Sequence, residues 1–155
     1  MSESFRSADP AEAAQLSEIA SQSKAIWGYT TEFMQACRAE LTYTETQLES
    51  DTFSFIVCEI DRVIAGFYGL EFIEDGVAEL EALFVVPRFI GRRIGSRMLD
   101  HARQNASSRG VRRLMIQAEP NAASFYEAAG GVPAGERESL SVPGRFLPMY
   151  EIRLD

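Results

Sequence analysis

Aromatic and β-branched residues crowd the middle of the chain at strand-like spacing. Residues 53–60 and 63–72 are dense in Phe, Val, Ile and Tyr, and the Asp61-Arg62 pair between them reads as the loop of a tight β-hairpin. Glu74-Asp75-Gly76 marks the next turn, and residues 77–86 continue the meander until Pro87 ends it. Then the period lengthens. From Gly91 to about Ser108, Ile94, Met98 and Ala102 recur on one helical stripe backed by Leu99, with Arg and Asp opposite, and Gly110 stops the run. Ahead of the meander, a short strand around Phe5 precedes Asp9-Pro10, an N-cap and first-turn proline for a helix with Ala14, Leu16, Ile19 and Ala20 on its apolar side. A second helix is predicted over 31–41. After Gly110 come a strand at 114–118, a helix at 121–129 and closing strands at 134–138 and 150–154. The order β-α-α-β-β-β-α-β-α-β-β predicts a single α/β domain over residues 1–155, with a central mixed sheet of about six or seven strands and about four flanking helices.

Size agrees with one hydrophobic core, since 155 residues with 46% hydrophobic and 25% charged content are too few for two ordinary domains. No apolar run approaches the ~20 residues that cross a bilayer, and residues 1–10 lack the basic start and hydrophobic stretch of a secretory signal. The expectation is a soluble cytoplasmic protein that does not engage a membrane. Cys37 and Cys58 stand apart with only His101 to join them, so neither a metal site nor a disulfide framework is expected. The net charge of -8 opposes nucleic-acid binding. Against that background Arg88, Arg92, Arg93, Arg97 and Arg103 concentrate positive charge in one segment, as a small anionic ligand requires.

That segment begins with Gly91 and Gly95 at a strand-to-helix turn, where free backbone N–H groups and the positive end of the helix dipole can seat a pyrophosphate. The same glycines would also serve a helix start that merely packs closely. On the preceding strand, period-two geometry puts Glu79 and Glu81 on one face with Leu83 and Val85, as a proton-accepting pair or as a solvated face. Glu71 and Glu74 are weaker candidates. The link carrying Trp27 and Tyr29 either caps the core or lines a ligand pocket.

Residues 87–99 are similar to the coenzyme A loop of the Gcn5-related N-acetyltransferase (GNAT) superfamily, [Q/R]-x-x-G-x-[G/A] after a strand ending in Val-x-Pro. With Gly95 as the last glycine, Ile90 stands at the Gln/Arg position and Arg93 at the first glycine, so two positions depart from the pattern. Residues 119–130 resemble the superfamily's P-N-A-x-x-F-Y-E-x-x-G element more closely. Residues 23–29 and 142–148 are similar to S-K-A-x-W-G-Y and I-P-G-R-x-L-P of a small bacterial subgroup, so the likeness spans nearly the whole chain.

The resemblance implies transfer of an acetyl group from acetyl-coenzyme A to a primary amine by direct attack, with no metal and no covalent enzyme intermediate. It implies that backbone groups of Leu83, Phe84 and Val85 meet the pantetheine, that residues Ile90, Gly91, Arg92, Arg93, Ile94, Gly95 and Ser96 hold the pyrophosphate, and that Asn121 lies along the pantetheine arm. Tyr126 is then expected near the thioester sulfur, serving the departing thiolate. Glu79 is the first candidate for the base and Glu81 the second. The acceptor is expected to be a small cationic or neutral amine beside Trp27 and Tyr29, and homodimers are common among such proteins. Two rivals remain: acetylation of a protein or peptide amine, and an acyl-coenzyme A-binding module without turnover.

Overall fold

The computed structural model describes residues 2–154; the outer limits of the predicted domain, residues 1 and 155, lie outside them. Seven strands form one sheet: β1 (Glu3–Ser7), β2 (Phe53–Ile60), β3 (Val63–Glu74), β4 (Val77–Val85), β5 (Arg113–Gln117), β6 (Val132–Glu138) and β7 (Phe146–Arg153). Five helices accompany them: α1 (Ala13–Ala25), α2 (Thr31–Ala36), α3 (Glu45–Glu49), α4 (Ile94–Ser108) and α5 (Ala123–Ala128). The sheet order is β1-β2-β3-β4-β5-β7-β6. The β4–β5 pair is parallel, whereas the other neighbouring pairs are antiparallel.

The β2–β3 loop is the predicted two-residue hairpin. Asp61 and Arg62 both take positive φ, 50° and 69°, which matches the turn to the right-handed twist of the strands it joins. Each face of the sheet buries its own cluster. On one, Ile94, Met98, Leu99, Ala102 and Ala106 of α4 pack onto Tyr68, Leu70, Leu80 and Ile116. On the other, Leu16, Ile19 and Ala20 of α1 meet Cys37, Tyr43, Phe55, Phe67 and Ala82. Cys37 and Cys58 are buried free thiols.

The differences from the sequence reading have local causes. The second helix stops at Ala36 instead of 41, and turns carry the chain to Leu41. The unforeseen α3 is a five-residue helix, too short to display a helical period, fixed by a capping box between Thr44 and Gln47. β7 starts at Phe146 rather than 150, because Pro148, which argues against a central strand in sequence, sits where β6 is bulged between Pro133 and Glu136. Helix α4 begins three residues later than expected, after a turn in which Gly91 has φ 90° and Arg93 φ 60°.

Candidate active site

One irregularity in β4 shapes the site. Ala82 pairs with Gly69 and Leu80 with Leu70, so Glu81 has no cross-strand partner on β3. Such a bulge adds one residue to one strand and turns the following side chains over. Ala78 and Leu80 accordingly belong to the α4-side cluster, and Ala82 to the α1-side cluster; beyond it Leu83 and Val85 pack on the α4 side and Phe84 on the α1 side. The expectation that Glu79 shares a face with Leu83 and Val85 is therefore corrected, because the bulge breaks the period of two between them. Just before it β4 also leaves β5, whose pairing covers only Val77–Glu79 against Arg113–Met115.

The parting strands open a cleft of about 860 Å³. Leu83, Phe84, Val85, Ile90, Gly95, Asn121, Phe125 and Tyr126 line one part of it, and Trp27, Glu40, Tyr43, Glu71, Glu79, Glu81 and Arg137 another. A second hollow, about 730 Å³ between α1 and the 31–45 segment, shares only Leu41 and Tyr43 with it.

At the first part, α4 presents its N-terminus. Arg93 is the N-cap residue in the left-handed region and offers no side-chain cap, so the first-turn N–H groups of Ile94, Gly95 and Ser96 have no intrahelical acceptor. A glycine normally occupies such a conformation, which costs other residues about 1–2 kcal/mol. Arg93 meets that requirement with its backbone while its side chain stays exposed. The side chain of Ile94 is buried in the core, whereas Ile90 is exposed at the cleft. A Cβ at Gly95 would stand 3.6 Å from the Phe125 ring and 3.9 Å from Leu83. The arginines are less concentrated than their spacing suggests. Arg97 forks onto Glu3 at 2.6–2.9 Å, Arg103 donates to the Ala129 carbonyl, and Arg88 and Arg92 lie over the Phe89 ring.

Tyr126 is buried, set edge-on to Phe125 with ring centroids 5.1 Å apart, and burial raises its phenol well above the ordinary range. It is held as a neutral donor. Of the two glutamates, Glu79 is ion-paired with Arg137 at 2.9 Å. Glu81 is pushed up to about 7, first by burial and then by the charges of Glu79, Glu71 and Glu40, with Arg137 opposing.

Trp27 lines the cleft with 46% of its surface exposed, while Tyr29 is not part of that wall. The Tyr29 ring stacks on Phe33 at 4.2 Å, and its hydroxyl donates to Glu119 while accepting from Asn121 and Arg145, each at 3.1 Å. Glu119 also accepts from Asn121 at 2.8 Å and from Lys24 at 3.3 Å. Burial works against ionisation of Glu119, yet the hydrogen bonds from Tyr29, Asn121 and Lys24 and the Lys24 charge hold its carboxyl below the usual range. Burial and the Glu119 contact in turn push Tyr29 up to about 12. Three separate sequence segments, 23–29, 119–130 and 142–148, thus meet at one carboxylate. Sequence reasoning did not single out Glu119, although each motif contributes a polar residue that needs a partner. Nor did it single out Glu40, Tyr43 and Arg137, which had no motif to mark them.

The sequence profile of the acetyltransferase (GNAT) family matches residues 16–131, and the chain belongs to that family of acyltransferases. No curated protein matches the chain in sequence. In fold it is similar to the PaiA N-acetyltransferase of Thermoplasma acidophilum in complex with coenzyme A, at 20% identity over 99% of both chains with a TM-score of 0.77. An acetyltransferase of the GNAT family from Staphylococcus aureus Mu50 aligns at 15% identity over 99% of this chain and 100% of its own, with a TM-score of 0.76. The ribosomal-protein-S18-alanine N-acetyltransferase of Escherichia coli gives 14%, 99%, 94% and 0.73 in the same terms. Among the described residues no helix is long and apolar enough to cross a membrane.

Proposed function

We propose that this chain transfers the acetyl group of acetyl-coenzyme A to the primary amine of a small molecule, with Glu81 as the base and Tyr126 as the acid. The opening of β4 from β5 beside the uncapped start of α4 carries this reading, since it joins an extended slot to an anion seat. The residues fit the cosubstrate. Main-chain groups of Leu83, Phe84 and Val85 that point away from β3 would meet the pantetheine amides. The N–H groups from Gly91 to Ser96 would meet the pyrophosphate, with Arg92 and Arg93 outside it and Ile94 contributing backbone only. Asn121 on the cleft wall would flank the pantetheine while fixed by Tyr29 and Glu119.

Bound acetyl-coenzyme A supplies a thioester whose carbonyl carbon is open to amine attack, with the C–S bond breaking as the C–N bond forms. An alkylammonium must first lose a proton, because only the free amine has a lone pair. Glu81, at about 7, accepts it near neutral pH, whereas Glu79 is occupied by Arg137 and positions the pair's field. Tyr126 donates its phenolic proton toward the departing sulfur, and a proton lost from the acetylated nitrogen restores the phenol. Trp27 walls the acceptor side, and Tyr29 acts on it indirectly, by holding the 23–29 link to Glu119.

Release of coenzyme A thiol by the purified protein, over a panel of small amines and peptides, tests the reading. Amine-dependent release is expected, and a thiol signal that appears with peptides alone would move the acceptor to proteins. Tyr126→Phe deletes only the hydroxyl, so kcat should fall about 10²-fold or more while coenzyme A affinity is nearly unchanged. Retention of more than about half the wild-type kcat, with chemistry rate-limiting, would remove Tyr126 from the acid role.

A further inference from the structure

The acceptor part of the cleft is acidic to a degree that proton removal does not need. Glu40, Glu71, Glu79 and Glu81 all border it. Glu71 and Glu79 are direct cross-strand partners, an arrangement in which like charges repel. Arg137 is ion-paired with Glu79, and among the described residues no cation pairs with Glu71 or Glu40. The described residues also contain no group of three or more His, Cys, Asp or Glu placed to hold a metal ion. An organic cation bound there would supply a positive charge that these carboxylates lack.

An independent observation comes from Tyr43. Its main chain is tied to Ser17 through hydrogen bonds at 2.8 and 3.3 Å, and its ring meets Phe55 and Phe67 edge-on. The residue is only 4% exposed and forms part of the cleft wall, in the field of Glu81 and Glu40. Among the described residues nothing bonds its hydroxyl. The ring is buried but its hydroxyl oxygen is not sealed off, so it opens on the cleft, where a donor that belongs to a ligand can be its partner. Trp27, Phe53 and Ile73 add apolar wall suited to methylene groups, and the two rings offer faces to a cation.

Spacing sets the length of that ligand. Glu81 stands at the bulge, and Glu79 with its partner Glu71 lies two residues back along β4, at most about 7 Å because the bulge shortens the ordinary strand rise. This is comparable with the reach of a four-carbon chain. We infer that the acceptor is a doubly cationic alkylamine, a diamine or polyamine, whose reacting amine sits beside Glu81, Glu40 and the Tyr43 hydroxyl while its distal ammonium is bound by Glu71. The inference rests on the acetyl-transfer reading above and names the substrate class for it.

Three acceptors of equal length test it: 1,4-diaminobutane, 1-aminobutane and 4-aminobutanoate, each assayed for coenzyme A release with wild type and Glu71→Gln. Calorimetric titration of 1,4-diaminobutane into the coenzyme A complex runs alongside. A charge-assisted contact predicts that the diamine exceeds 1-aminobutane in kcat/KM by about tenfold or more, with 4-aminobutanoate poorest. Glu71→Gln should collapse the ratio of diamine to monoamine toward one and weaken calorimetric binding by a similar factor. Tyr43→Phe, which acts at the reacting end, should lower kcat/KM for diamine and monoamine alike and leave their ratio nearly unchanged. Equal or better use of 1-aminobutane or 4-aminobutanoate would overturn the inference while leaving acetyl transfer standing. So would a Glu71→Gln loss that is uniform over all three. If no amine is acetylated yet the diamine binds in a Glu71-dependent way, the dication site stands and the transferase reading falls. Neither turnover nor binding would overturn both.

Discussion

The two parts of the cleft are built by different means. The part bordered by Leu83, Gly95 and Tyr126 relies on main-chain groups, glycine and apolar walls, and its members come from two contiguous segments on either side of β5. The part bordered by Glu40, Glu71, Glu81 and Arg137 relies on charged side chains from the link after α2, from β3, from β4 and from β6. A ligand bound through backbone amides would tolerate side-chain change, such as Ile90 and Arg93 at the positions where the family pattern has other residues. A ligand selected by carboxylates changes with each of them. Donor binding and acceptor choice should therefore respond separately to substitution.

The harshest way to break this division is Gly95→Pro. It deletes one N–H from the anion seat and adds a ring beside Phe125, so coenzyme A affinity should drop about 100-fold or more in calorimetry, with circular dichroism confirming a folded protein. Binding as tight as wild type by the folded variant would detach the pyrophosphate from α4.

A comparison of Glu81→Gln with Glu79→Gln sharpens the acceptor side. Glu81→Gln should lower kcat/KM at pH 8 by about 10²-fold and abolish the rise of kcat/KM with pH near 7, whereas Glu79→Gln should keep that limb and lose about tenfold or less. Equal losses would make the two carboxylates one unit. Stability supplies a readout free of turnover. The folded Glu81 carboxyl titrates at about 7, above its unfolded value, so the stability it contributes is complete at low pH and is lost as pH rises through 7. Removing its charge should raise the melting temperature relative to wild type more at pH 8.5 than at pH 5.

The smallest effect is expected from Arg93→Gly. It relieves a left-handed residue, which favours the folded state, and adds backbone entropy to the unfolded chain, which opposes it. A net stabilisation of about 1 kcal/mol or less should accompany an unchanged preference among acceptors. A shift in that preference would show that the two parts of the cleft are coupled.

Much of the donor side was legible in the sequence because its determinants are local. Pro87, Gly91 and Gly95 announce a strand end and a helix start within nine residues, and Asn121 to Tyr126 lie within one short segment. The hairpin at Asp61-Arg62 and the stripe Ile94, Met98 and Ala102 were readable for the same reason. The short α3 and the early start of β7 were not, the first for want of a full period and the second because Pro148 argued against a strand. Placing Glu79 on the face of Leu83 and Val85 depended on unbroken alternation along β4, and nothing in residues 77–86 announces the bulge.

The sequence by itself determined the order of elements, the glycine turn ahead of a basic helix and the motifs that marked the family, all of them set by neighbours along the chain. Tertiary structure alone decided which way Glu79 points, that Lys24, Tyr29, Asn121 and Arg145 converge on Glu119, and that Glu40, Tyr43 and Glu71 join Glu81 at one cleft. The physical reason is range. Backbone preference and period act over a few residues, whereas a bulge and an electrostatic field exist only once strands distant in sequence have paired.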